Sequence, residues 1–231
     1  QNATATSVSV TLDQHGYVSI LQEDITKLLQ KPDLQAAYAQ RMAIVLAEQI
    51  ESKLFSLHPS ITNVVTWNRS SATTVEQSFL AVRSKFARLK VSPMERKDIW
   101  FDTSIIDDLL QNQKYSSGDY VTNLPVDEGV LRRIYGLNIH ESQLVPLTGS
   151  PGAYHNLALT KYGIVLASRP MPLDGNGKGA MQSVIVDPNT GLSFRLTESY
   201  DTSELGTKMT LDVLYGAAIA DANQIIEIES F

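Results

Sequence analysis

The sequence contains no cysteine in its 231 residues. Disulfide bridges, thiolate nucleophiles and cysteine-ligated zinc are thereby excluded. Histidine is scarce: His15, His58, His140 and His155 are the only four. No two of them have the three- or four-residue spacing that sets two imidazoles on one helix face. Ordinary surface or hydrogen-bonded histidines are the expectation. Positive charge is in deficit, with 19 Lys and Arg against 25 Asp and Glu and a net charge of −6. A protein that grips phosphate backbones needs clustered Lys and Arg, so any nucleic-acid contact is expected to be weak or indirect. No apolar run approaches the ~20 residues of a membrane-spanning helix, and no membrane partner is expected. Residues 1–9 lack the charged start and apolar core of a signal peptide. Tryptophan occurs twice, Trp67 and Trp100, and both are expected in a core or an interface.

What remains is ordinary globular material, 43% hydrophobic and 19% charged. The length suits one large domain or two intimate ones. Val8, Val10 and Leu12 alternate with polar residues, and Tyr17–Leu21 reads as a second short strand after a turn at Gly16. That two-stranded projection has too little apolar surface to stand alone. Pro32 and Asp33 open a helix predicted to run to about Leu57 and to stop before Pro59. Its stripe is Leu34, Tyr38, Met42, Leu46, Ile50 and Leu54, flanked by Val45 and Leu57. At 1.5 Å per residue it is about 37 Å long, a spine on which other elements pack.

A second amphipathic helix is predicted over Thr73–Leu89, with Val75, Phe79, Val82 and Phe86 inward. A buried strand follows at Asp98–Asp102, then a short helix at Thr103–Gln111 and a polar loop at Lys114–Pro125. A strand at Arg133–His140 contains Gly136. These elements suggest a compact α/β lobe from about residue 60 to 145. Thr148–Gly152 reads as a linker, Tyr154–Ala167 as helix or strand, and Pro170–Gly179 as a loop. Beyond Met181 the pattern is β, with a hairpin around Asp187–Gly191 and strands at Thr210–Ala220 and Gln224–Glu229.

Motifs that carry chemistry are missing. The Asp174–Gly179 segment has Lys178 where a calcium loop needs an oxygen ligand, and it lacks the arch and the Ser or Thr of a phosphate-binding loop. No Gly-x-Ser-x-Gly elbow occurs. Asn2 and Asn68 match glycosylation acceptors, which mean little without a secretory context. No catalytic, cofactor-binding or metal-ligating residue is assigned, and no cofactor is expected.

Three segments together resemble the tailed-bacteriophage major capsid family with the Hong Kong 97-like fold. They are Thr11–Ser19 with Glu23-Asp24-Ile25 and the Asp33–Leu57 helix (VLAEQI); Asn156–Pro170; and Gly191–Thr197 with Tyr200-Asp201 and Leu211–Gly216. The resemblance implies an α+β fold with a long spine helix, a peripheral-domain sheet, an axial domain and an extended-loop remnant. It places residues 1–23 in that remnant, 24–60 and 181–220 in the peripheral domain, and 61–180 and 221–231 in the axial domain. It also implies an N-terminal arm and a first extended-loop strand ahead of Gln1.

A non-enzymatic coat protein of an icosahedral head enclosing double-stranded DNA is the function so implied, located in the virion and assembled in the host cytoplasm. Its partners are copies of itself in hexamers and pentamers, with scaffold, portal and decoration proteins as further candidates. Assembly contacts are expected at Asp13, Gln14, His15 and Tyr17 of the extended loop, with Thr4–Leu21 lying across a neighbouring subunit. A second set, Tyr200, Asp201, Glu204 and Lys208, belongs to a Glu198–Lys208 loop meeting its copies at a threefold axis. Some relatives join an extended-loop Lys to an Asn. No Lys precedes Lys27 here and the tip holds no Asn, so no cross-link is expected. The alternatives are a nanocompartment shell of the same fold and a small α/β hydrolase using His140 or His155 with a nearby Asp.

Overall fold

The structure, a computed structural model, describes residues 7–24, 34–69, 72–112, 115, 131, 133–149, 152–173, 180–187 and 190–231. Three helices are described: α1 (Leu34–Phe55), α2 (Ala72–Arg88) and α3 (Thr103–Gln111). The strands are β1 (Gln14–Glu23), β2 (Val64–Trp67), β3 (Lys97–Phe101), β4 (Arg133–Ile134), β5 (Leu137–Glu141) and β6 (Leu147–Thr148). They continue with β7 (Ala153–Leu159), β8 (Ile164–Arg169), β9 (Ala180–Val186), β10 (Ser193–Asp201), β11 (Gly206–Ile219) and β12 (Ile225–Ser230). The chain divides into two compact units. One holds Gln1–Lys53 and Leu166–Ala218, the other Leu54–Val165 and Ile219–Phe231. The second unit joins the C-terminal strand to the lobe read at 60–145, as the expected grouping of 61–180 with 221–231 has it.

In the first unit the sheet runs β1-β11-β10-β9, with β8 also paired to β11. Alternate residues of β11, Met209, Leu211, Val213 and Tyr215, are buried with Met42, Leu46 and Ile50 of α1. The two periods, two along the strand and about four along the helix, put both stripes on facing surfaces. Val45, expected beside the stripe, is exposed. The helix start predicted at Pro32 and Asp33 lies outside the described residues.

The N-terminal segment differs from expectation. Gln14–Glu23 is one continuous strand paired antiparallel with Gly206–Tyr215 of its own chain. Gly16 makes no turn. A Cβ there would come within 2.8 Å of Gln49 Oε1 and 3.2 Å of the Tyr215 ring, so a larger residue would have to push these side chains aside where β1 passes close to α1. The expected free hairpin is therefore replaced by an edge strand whose Val18 and Ile20 join the core beneath α1. The expectation that this segment lies across a neighbour instead of on its own core is overturned for Gln14–Leu21.

The second unit has a seven-stranded sheet in the order β2-β12-β7-β3-β5-β4, with β6 paired to β7. Its C-terminal strand β12 inserts between β2, parallel, and β7, antiparallel. That central position explains a sequence, IIEIES, buried on both faces. One face carries α2 and α3. Val75, Phe79, Val82 and Phe86 are buried there as predicted, with Ile105, Ile106 and Leu109 of α3. Trp67 and Phe79 meet edge to face at 4.8 Å. Asp102 caps α3, its Oδ2 accepting from Ser104 N at 2.9 Å.

Two sequence assignments change here, and one left open is settled. Arg133–His140 is a hairpin, not one strand: Tyr135 and Gly136 both have positive φ and form a two-residue turn between β4 and β5. Thr148, expected to start a linker, instead pairs with Ala153 of β7, next to Leu147 opposite Tyr154. Tyr154–Ala167 resolves into β7 and β8, separated by a turn at 160–163. The Lys114–Pro125 loop and the Asp174–Gly179 segment lie essentially outside the described residues.

Candidate assembly surfaces and a buried polar cluster

The residues expected at the extended loop sit at one end of the first unit's sheet. Asp13 is exposed and accepts from Lys53 Nζ at 3.2 Å, which holds its carboxyl below the usual range. Gln14 pairs with Tyr215. His15 Nε2 lies 3.0 Å from Asp212 Oδ2, so this side chain already has an intramolecular partner. Tyr17 remains 62% exposed. Outward on the same face of β1 follow Ser19 and Leu21, also exposed.

Asp212 ties three strands together. It is 2% exposed. Arg195 of β10 donates to it twice, Nε to Oδ1 at 2.9 Å and Nη2 to Oδ2 at 2.8 Å. Arg195 Nη1 also donates to Pro172 O. The bidentate fork is the strong geometry for such a pair. Nothing in the sequence singled out Asp212 or Arg195; the pairing depends on the Arg195–Asp212 register of β10 and β11.

The second expected set sits at the other end of that sheet. Seven residue steps along β1 lead from Gln14, opposite Tyr215, to Leu21, opposite Lys208, a span of roughly 23 Å. The expected Glu198–Lys208 loop is largely strand. Pairing continues to Asp201 and Gly206, and only 202–205 turn. Leu205, not Gly206, adopts the positive φ. Gly206 is instead a close approach, its would-be Cβ 2.7 Å from Gln22 O.

Asp201 braces this turn by accepting from Ser203 N and Oγ at 3.0 and 2.5 Å. Those bonds hold its carboxyl below the usual range. Tyr200 donates to Asp24 Oδ2 at 2.7 Å, and that bond raises the phenol. Glu204 is exposed at the tip, and Lys208 is exposed on β11.

A third surface was not anticipated. β9 closes the order of the sheet, and no described strand pairs with its far side. Met181 is 75% exposed, and Val184, Ile185 and Val186 are exposed in succession. An apolar edge strand of this kind is a template for pairing with another chain.

In the second unit the sheet face opposite α2 and α3 carries two polar groups. Asp98 accepts from Arg96 Nε at 2.8 Å and Asn138 Nδ2 at 3.0 Å, and His140 Nε2 lies 3.0 Å away. Burial alone would raise this carboxyl, but the bonds from His140, Arg96 and Asn138 outweigh it and hold it below its usual range. A depressed carboxyl contributes stability that is present above its unfolded pKa and is lost as pH falls through the folded one. We therefore expect thermal stability to drop on acidification below about pH 4, and Asp98→Asn to flatten that drop. Melting curves collected across that range for both proteins check this.

The other group gathers His58, His155 and Glu227, whose ligand-capable atoms all lie within 4.8 Å of one another. His155 Nδ1 lies 2.6 Å and His58 Nδ1 3.2 Å from Glu227 Oε1. The two imidazoles stack at 4.1 Å. His155 Nε2 lies 2.5 Å from Thr148 Oγ1. Both histidines are hydrogen-bonded, as expected, but nothing in their sequence spacing pointed to their convergence on one carboxylate. His155 stands opposite Glu229 and Glu227 opposite Leu157, so His155 and Glu227 are diagonal neighbours on one face.

No family model matches the chain, and no curated protein matches it. Solved structures do. A structure from Mycobacterium phage Che8 aligns with a TM-score of 0.66 at 13% identity, covering 98% of this chain and 76% of that one. The capsid structure of the cyanophage P-SCSP1u aligns at 0.67 and 11% identity, covering 99% and 78%. The SrpI encapsulin complex from Synechococcus elongatus aligns at 0.51 and 14% identity, covering 94% and 73%. The chain has the α+β fold of these structures, the Hong Kong 97-like fold. At such identities the likeness is one of fold.

Proposed function

We propose that this chain is the major capsid protein of a tailed phage, a non-enzymatic subunit that assembles into the hexamers and pentamers of an icosahedral head around double-stranded DNA. The observation that carries this reading is a likeness to phage capsid structures that spans nearly the whole chain. The alternative, a nanocompartment shell, rests on a weaker likeness, with TM-scores of 0.51 against 0.66 and 0.67. In this reading the unit with α1 and the β10–β11 hairpin is the peripheral domain, and the other unit is the axial domain. The 202–205 turn meets its copies near a threefold axis, with Tyr200, Asp201, Glu204 and Lys208 around it. Asp13, Gln14, His15 and Tyr17 border another copy. The site of action is the virion, and scaffold, portal and decoration proteins are further candidate partners.

The hydrolase alternative has less support. His140 has a carboxylate, Asp98, but among the described residues no hydroxyl bonds its ring. His155 has Thr148 and Glu227, but its ring is stacked against His58.

The apolar edge at β9 supplies a direct test. Ile185→Lys places a charge on an exposed position, where substitutions usually change stability by no more than about 0.5 kcal/mol. The subunit should melt as the wild type does, while the shell fraction in sedimentation falls several-fold. Wild-type levels of shells from this variant would remove β9 from the assembly surface.

A further inference from the structure

We propose that His58, His155 and Glu227 form a binding site for a divalent transition ion of the zinc type. Two imidazole Nδ1 atoms and one carboxylate oxygen converge: His155 Nδ1 and His58 Nδ1 lie 2.6 and 3.2 Å from Glu227 Oε1. A mixed nitrogen and oxygen donor set suits zinc and its neighbours better than calcium or magnesium, which take oxygen ligands. Zinc sits about 2.0–2.2 Å from such donors in a tetrahedron, so ligand atoms should stand about 3.4 Å apart. The three atoms are within 4.8 Å of one another, and binding requires the two imidazoles, stacked at 4.1 Å, to rotate out of that stack so that both Nδ1 lone pairs point at one ion.

The surroundings suit an ion. His155 and Glu227 project from β7 and β12, which are paired and buried. His58 opens a one-turn helix at His58–Ser60, fixed by Pro59 and by the Ile61 N–H donating to His58 O at 3.0 Å. Sites on such elements hold their geometry better than sites on loops. Glu227 is only 4% exposed, and a buried carboxylate is retained where it is paired or coordinates a metal.

The exchange balances in protons. Where each imidazole is neutral and carries its proton on Nδ1, it donates to the carboxylate, and Thr148 donates to His155 Nε2. With the ion bound, each imidazole moves its proton to Nε2 and binds through Nδ1, so no proton is lost. His155 Nε2 then donates to Thr148 Oγ1, which only turns from donor to acceptor. A hydrogen-bonded second nitrogen of this sort orients metal-binding histidines. His58 keeps 15% side-chain exposure, which leaves water access for a fourth ligand.

The test uses the full chain, stripped with a chelator, and Zn²⁺ alone as titrant, followed by Co²⁺ as a spectroscopic probe. One ion per chain is expected, with a rise in melting temperature and intense visible Co²⁺ bands of four-coordinate geometry. His58→Ala should lower affinity at least tenfold and abolish the thermal shift. The more conservative His58→Gln serves if the alanine variant misfolds. A His15→Ala/His140→Ala double variant should bind as the wild type does. Absence of one-to-one binding, octahedral Co²⁺ bands, or unchanged affinity in the His58 variants would overturn the proposal.

Discussion

Asp212→Ala should cost about 3–5 kcal/mol, because it removes one partner of a buried ion pair and leaves the other uncompensated. Arg195 would keep only Pro172 O among its described partners, and His15 would lose its carboxylate. The side chain of Asp212 is 3% exposed and that of Arg195 19%, so solvent replaces little of what is lost. Urea unfolding should show an earlier transition in the variant. Replacing both residues together, Asp212→Leu with Arg195→Met, should recover much of the loss, since apolar replacements of a buried pair are often neutral. If Asp212→Ala unfolds within about 1 kcal/mol of wild type, the pair is no clamp.

The second large effect is expected at Gly216. A Cβ there would stand 1.9 Å from Thr11 O and 2.8 Å from Thr11 C. Both are backbone atoms, so no side-chain rotation relieves the clash. Gly216→Val must displace the segment leading into β1, at a cost of about 2–4 kcal/mol by comparison with other overpacked or strained sites. Hydrogen exchange should rise along Gln14–Glu23 and along the β11 positions it pairs with, while β3, β7 and β12 stay protected. Unchanged protection in β1 would mean that the segment has another seat.

The contrast among glycines marks how far the sequence could be read. Gly16, Gly136 and Gly206 look alike in sequence. Only Gly136 turns the chain; the other two are bare because another element passes close by. That difference depends on long-range neighbours, α1 for Gly16 and β1 for Gly206, which no local pattern reveals.

Helices were legible where apolar residues recur every three or four positions, as at Val75, Phe79, Val82 and Phe86. The β9–β10 hairpin was legible from its turn residues at Asp187–Gly191. The paired side chains were not. Arg195 and Asp212, or His155 and Glu227, meet through strand register across 17 and 72 residues, and register is set by the whole sheet. The assembly residues were read from family resemblance. The structure places them at two ends of one sheet, with Asp13, His15 and Tyr200 already engaged within their own chain.

The central claim, that this chain is a shell subunit, is most directly tested by electron microscopy of the purified full-length protein under assembly conditions, including any segment that precedes Gln1. The account predicts closed icosahedral particles built from hexamers and pentamers. A homogeneous population of monomers or dimers, with no particles across salt and protein concentration, would contradict it.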